Sequence, residues 1–334
     1  MISATTDSER ATVATSLAMA RSSSAPIPPE ALRRMLVATD GSSAADGALK
    51  LADLIAERDD AFVAVLSVLD PESRLPAAGP LVEQVERRFA SLRGQIGIVV
   101  GARPQWHGAI DIGPVGETIS RVATARGSDL IVVGFGLHRR LRDRIPEKAT
   151  VRRIAELSPA PVLVVPSQAR SLPTRVMLAL DFSRSSMRAG RAAIRLLGPA
   201  GGEVHLVYVH TGYEPFPVAP VDPDPTYSAG FAAFFEAVER ELAAPPSVSF
   251  ERAVVQRGDP VSELLAYGSA NGMELIAVGN HGKATHERLH LGSVSSGILR
   301  SAQCMVLVSG SGSRAGGDIA VDTPAASDPI RGGQ

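Results

Sequence analysis

Short apolar runs alternate along this chain with longer segments whose apolar residues recur at helical spacing, the rhythm of strands and amphipathic helices. The rhythm is written twice. Met35-Leu-Val-Ala-Thr-Asp40-Gly-Ser-Ser is answered by Met177-Leu-Ala-Leu-Asp181-Phe-Ser-Arg-Ser, each an apolar strand that ends in aspartate and a Ser-rich turn. Helices are predicted after them over 44–56 and 186–197, then strands over 62–68 and 204–209, then helices over 81–92 and 231–242. Pro114 and Pro260 each stand at the predicted first position of a further helix, where the missing N–H costs nothing, and the helices run over 115–125 and 261–270. Two continuous apolar runs, 129–134 and 274–279, end in glycine and read as strands buried on both faces of a parallel sheet. A helix and a last strand, 161–165 or 305–308, close each copy. The predicted fold is therefore α/β: two doubly wound, five-stranded parallel-sheet domains of Rossmann-like type, packed as a pseudo-dimer.

A length of 334 residues fits two domains, predicted at 31–167 and 173–309 with a short polar linker between them. Residues 1–30 are Ser/Thr/Ala-rich, and 310–334 are Gly/Ser/Ala/Asp-rich with almost no bulky apolar residues. Both are predicted to be disordered, because they lack the apolar area that would offset ordering entropy. The Pro- and Asp-rich stretch 212–230 is predicted to be a long extended loop, either a solvated excursion or a lid.

In an open parallel sheet, ligands bind beyond the carboxyl ends of the strands where strand order reverses, and the strands ending at Asp181 and Gly279 are the expected neighbours there. After the second the chain reads Gly279-Asn-His281-Gly282-Lys283-Ala-Thr-His-Glu-Arg-Leu-His-Leu-Gly292-Ser293-Val294, a GxxG, nine residues, then GS. Gly279 and Gly282 are expected to turn with positive φ and let a phosphate approach the backbone. Gly292-Ser293 opens a helix whose free N–H groups and positive dipole end suit an anion. Asp181 is placed for the sugar or base of a nucleotide, or for a metal-bound water.

These motifs taken together, a strand-terminal Asp, Gly and Pro before a helix, and GxxG-x9-GS, resemble the universal stress protein family over 31–166 and 173–309. The resemblance implies an adenine-nucleotide site holding ATP, with or without Mg2+. It places Asp181, Val209 and Val278 around the nucleoside and Gly279, His281, Gly282, Gly292 and Ser293 on the phosphates, with Val294 a further nucleotide-binding residue. It further implies a cytoplasmic stress-response regulator, as a homo-oligomer or an intramolecular pseudo-dimer.

The first copy departs from the pattern. Leu137 stands where the second glycine should be, Glu147-Lys148 or Lys148-Ala149 replaces Gly-Ser, and four arginines (Arg139, Arg140, Arg142, Arg144) crowd the loop. The expectation is one nucleotide per chain, held by the C-terminal copy. The bland readings are that Asp40 and Asp181 only form turns, that His281, His286 and His290 face solvent rather than a metal, and that Lys283 faces water rather than phosphate.

Composition narrows the alternatives. A formal net charge of -1 gives no global pull toward nucleic acid or anionic membrane, and Cys304, the one cysteine, lies in an apolar run that suits an inert thiol in a reducing cytoplasm. There is no GxxxxGK(S/T) loop and no supported Ser-His-Asp spacing. A phosphoryl-transfer enzyme would want a base and several metal ligands, for which only Asp181 and Glu287 stand near the loop. Three readings remain: a nucleotide-binding regulator, a slow ATPase or phosphotransfer enzyme, and a nucleotide-independent interaction scaffold.

Overall fold

The computed structural model describes residues 31–70, 80–103, 106–135, 146–181, 183–210, 225–256, 258–280 and 290–310. In the first half, strands β1 (Arg34–Ala38), β2 (Phe62–Leu69), β3 (His107–Ile112), β4 (Leu130–Phe135) and β5 (Val162–Pro166) alternate with helices α1 (Asp46–Asp59), α2 (Leu81–Val99), α3 (Val115–Arg126) and α4 (Pro146–Leu157). The second half repeats this with β6 (Arg175–Leu180), α5 (Arg184–Leu197), β7 (Gly202–His210), α6 (Pro225–Leu242), β8 (Val248–Gln256), α7 (Pro260–Ala270), β9 (Leu275–Val278), α8 (Ser293–Ser301) and β10 (Met305–Val308). None of the described helices is long and apolar enough to cross a membrane.

All ten strands join in one sheet, in the order β3-β2-β1-β4-β5-β10-β9-β6-β7-β8. Within each half every pairing is parallel, and the halves meet where β5 and β10 pair antiparallel. That seam pairs Leu163 with Leu307 at its centre and Val162 and Val164 with Val308 and Val306 on either side, so the repeat becomes a pseudo-twofold axis. The sequence led us to expect docked sheets; the apolar Val/Leu seam extends the hydrogen-bond ladder itself across the joint.

Each face of the sheet carries a core that runs through both halves. One contains Leu49 and Ile55 of α1, Leu92 of α2, Ile194 and Leu197 of α5 and Phe235 of α6. The other contains Ile119 of α3, Ile154 of α4, Leu264 of α7 and Ile298 of α8. Strand residues alternate between the two, Val37 toward the first and Leu36 toward the second, as the period of a strand requires. A further clasp crosses the joint: Arg58 of α1 donates to the Leu196 and Arg195 carbonyls at 2.6 and 2.8 Å, capping the open C-terminus of α5. Gly198, at φ +65°, leaves room for that guanidinium, since a Cβ there would lie 2.5 Å from Arg58 Nη1.

Several boundaries move from those expected. Helix α6 begins at Pro225, so the stretch predicted as loop to residue 230 is helical at its end, while 211–224 lie outside the described residues. Helix α2 continues to Val99, because Gly94 and Gly97 sit on an open surface and do not interrupt it. Pro260 is the first residue of α7, capped by Asp259, whose carboxylate accepts from Ser262 N–H at 3.0 Å. Pro114 instead occupies the cap position itself, one residue before α3. The leader 1–30 and the tail from 311 lie outside the described residues.

Candidate functional site

Strands β6 and β9 are hydrogen-bonded neighbours, with Val176, Met177 and Leu178 beside Leu275, Ile276 and Ala277. Their carboxyl ends therefore meet where strand order turns back, and Asp181 and Gly279 leave the sheet side by side. Asp181 is half-buried, and its Oδ1 accepts from Ser183 N–H at 3.0 Å. Asp40 makes the matching bond to Ser42 N–H at 2.9 Å. The turn-forming role is thus present in both halves. Ser183 then caps α5, its hydroxyl accepting from Ser186 N–H at 3.1 Å.

Gly279 does not have the positive φ expected of it. Its requirement for glycine is steric: a Cβ would lie 2.9 Å from Ser185 Oγ and 3.0 Å from Ser186 N, where the strand end presses on the first turn of α5. Gly292 is the N-cap of α8 with φ -56° and ψ 153°, an ordinary extended conformation. Its N–H donates to the Asn280 carbonyl at 2.8 Å, which ties the end of the loop back to its beginning. The hydroxyl of Ser295 donates to the Gly279 carbonyl, closing the same connection from inside the helix. Ser293 is exposed and Val294 half-buried at the open end of α8, where the first N–H groups have no intrahelical acceptor. His281, Gly282, Lys283, His286 and Glu287 lie outside the described residues.

Val209 and Val278 are 8% and 2% exposed and belong to the α7–α8 core. Val278 is almost wholly occupied by that core, so a ligand would meet only its rim. His290 is exposed, and among the described residues no group of three or more His, Cys, Asp or Glu side chains could hold a metal. Cys304 is half-buried, and burial pushes its thiol up to about 11, the setting of an unreactive cysteine.

The structure adds a cluster that reading the motif alone misses. Asn280 is fully buried; Ser185 Oγ donates to its Oδ1 at 2.5 Å, and Ser309 Oγ does so at 3.3 Å. Its backbone N–H is shared between the same two hydroxyls, at 2.7 Å to Ser185 and 3.0 Å to Ser309. Arg188 of α5 reaches Oδ1 at 3.5 Å. The Nδ2 of Asn280 has no hydrogen-bond partner among the described residues. Strand register aligns Ser185, Asn280 and Ser309 with Ala44, Phe135 and Val165 of the first half; a column-by-column comparison of the copies shows three polar-for-apolar replacements, and only the fold shows that they meet.

Comparisons with known proteins agree with this architecture. The model of the universal stress protein family matches residues 31–166 and 173–309. A universal stress protein of Mycolicibacterium smegmatis is 26% identical over 287 residues, covering 82% of this chain and 96% of that one. One from Methanocaldococcus jannaschii is 26% identical over 144 residues, covering 40% of this chain and 80% of the relative. Among solved structures, a universal stress protein of Archaeoglobus fulgidus superimposes with a TM-score of 0.61 at 20% identity, over 84% of this chain and 97% of that chain.

Proposed function

Because this chain belongs to the universal stress protein family, matched in two successive copies, we propose that it is a stress-response regulator that binds an adenine nucleotide, ATP, through its C-terminal half. The observation that carries the reading is the β6–β9 switch point, where Asp181 follows one strand end and the Gly279 carbonyl at the other accepts from Ser295 in the first turn of α8, whose cap Gly292 follows Gly282 after nine intervening residues. An anion is favoured there by unpaired N–H groups and by the helix dipole, with the Ser293 hydroxyl as a further donor.

In this reading the triphosphate lies along Gly279, His281, Gly282, Gly292 and Ser293, with or without Mg2+. Val209, Val294 and the rim of Val278 flank the base, and Asp181 keeps one carboxylate oxygen for the sugar or base beside its turn bond. The network at Asn280 supports the reading, because it fixes the first step of the loop where the ligand would sit. Binding orders the loop and biases contacts between the halves or with a partner. The scaffold reading applies to the first half, where apolar residues replace that network.

The test is calorimetric titration of ATP into the wild type and into Gly282→Val. One nucleotide per chain is expected for the wild type, with loss of binding in the variant. Absence of binding by the wild type overturns the proposal, and two nucleotides per chain overturns the asymmetry.

A further inference from the structure

The loop that precedes α8 is held by a residue of the other half. Glu156, on α4, accepts from the backbone N–H of Leu291 at 3.3 Å, across 135 positions of sequence. Leu291 is the residue immediately before Gly292. The two consecutive N–H groups that lead into α8 are therefore both tied, that of Leu291 to the first half and that of Gly292 to Asn280. Leu291 is itself 8% exposed and shares a core with Val151, Ile154 and Ala155 of α4.

A carboxylate in this position needs a reason. The Glu156 side chain is 3% exposed, and its two basic neighbours stand off at 3.8 Å (Arg152) and 3.7 Å (Arg153), both reaching it from solvent. Arg153 is engaged more closely with Glu117, at 2.7 Å. A buried carboxylate is costly unless its oxygens are satisfied. Its Oε1 accepts a hydrogen bond from the backbone of the other half's loop. Arg152 and Arg153 balance its charge from the solvent side only in part, and toward the loop Glu156 presents a hydrogen-bond acceptor.

We infer that Glu156 is a positioning residue for the ATP site: it holds the entry to α8 in trans, so that the C-terminal site is completed by the N-terminal half. This rests on the proposed function for the identity of the ligand, and on the Glu156–Leu291 contact alone for the positioning. By the reciprocity of linked equilibria, a ligand whose binding is favoured by the Glu156–Leu291 contact must favour that contact in turn. A half without a standard phosphate loop would then still take part in nucleotide binding.

The experiment uses the full chain and two substitutions, Glu156→Leu, which removes the acceptor, and Glu156→Gln, which keeps a carbonyl acceptor without the charge. Hydrogen exchange at the Leu291 amide reads the contact directly without ATP. It is expected to quicken about tenfold in Glu156→Leu and to stay within about threefold of wild type in Glu156→Gln, the size of effect one net hydrogen bond supplies. ATP affinity, by calorimetry, should follow the same order, falling about tenfold in the leucine variant and being retained in the glutamine variant. Unchanged Leu291 exchange in a folded Glu156→Leu overturns the inference, as does ATP affinity that is equal in all three proteins. Should the leucine variant not fold, the wild type decides: ATP must raise amide protection in residues 151–157, and unchanged protection there with ATP bound overturns it. A wild type that binds no ATP removes the ligand proposed above, while Leu291 exchange still decides whether Glu156 holds the loop.

Discussion

The two halves share a backbone plan and fill the same three positions in opposite ways. At the strand ends of the second half stand Ser185, Asn280 and Ser309, all within 9% exposure and joined by hydrogen bonds. At the corresponding places in the first half stand Ala44, Phe135 and Val165, equally buried and purely apolar. The helix above differs in step. Gly47 packs so closely that a Cβ would lie 2.0 Å from the Pro166 carbonyl, whereas its counterpart Arg188 fits beside Asn280. Either filling can support the strand ends. Only the polar one fixes a loop by directional bonds and leaves a donor over, and that is the half whose loop keeps the GxxG-x9-GS pattern.

The contrast can be broken most forcefully at the paired glycines. Gly134→Ala would set a Cβ 2.4 Å from Ala45 Cα and 2.5 Å from the Ala44 carbonyl, both backbone, and is expected to cost about 3 kcal/mol in chemical denaturation. Gly279→Ala meets a movable hydroxyl and an amide nitrogen near 3 Å, so it should cost less globally. Asn280→Leu, which makes the second half resemble the first, removes the Oδ1 acceptor that the Ser185 and Ser309 hydroxyls share and leaves them each other and the backbone N–H of residue 280. About 2 kcal/mol of destabilisation is expected, with loss of ATP binding by calorimetry; an Asn280→Leu protein that binds ATP normally would separate the cluster from the site.

A smaller difference separates the helix caps. Ser183→Ala removes the acceptor for Ser186 N–H and should cost about 1 kcal/mol. Ser42→Ala removes a hydroxyl that makes no capping bond and has no partner among the described residues, and should change stability by less than about 0.5 kcal/mol. Equal effects of the two serines would mean the caps are equivalent after all.

The smallest expected effect is acid sensitivity. Ser262 N–H and hydroxyl bonds lower Asp259, the His205 and Arg175 contacts lower Glu203, and in the first half Arg121 lowers Asp111 and Arg153 lowers Glu117. Each carboxyl titrates lower in the folded chain than at its unfolded value of 3.8 or 4.5, so its contribution is fully present above those values. It is lost as pH falls through the folded values. Thermal melts should therefore be flat in this respect above about pH 5 and decline gradually below about pH 4, in both halves alike.

How far the sequence could be read depended on whether a feature is periodic. The apolar runs at 130–135 and 275–278 announce buried parallel strands without help, and the repeat they form implied a doubly wound fold. The pairing of β5 with β10 was not readable in the same way, because Val162–Pro166 and Met305–Val308 would suit either a closed edge or a docked one. For Gly279 the residue was legible and its reason was not: its neighbour in space, Ser185, lies 94 positions earlier, and the conformation is not left-handed. Asn280 reads as an arbitrary letter between two glycines until tertiary packing brings Ser185 and Ser309 to it. Glu156 looked like any charge on a helix face, since nothing local tells that its face meets the other half.

The antiparallel joint between β5 and β10 also bears on how such a protein can change over time. In an assembly of two identical chains a substitution alters both sites at once, and a loss in one is a loss in the other. Here the seam unites two copies with separate codons, held together by a tether of a few residues that keeps their effective concentration high at any dilution. One copy can surrender its loop motif while the other keeps it.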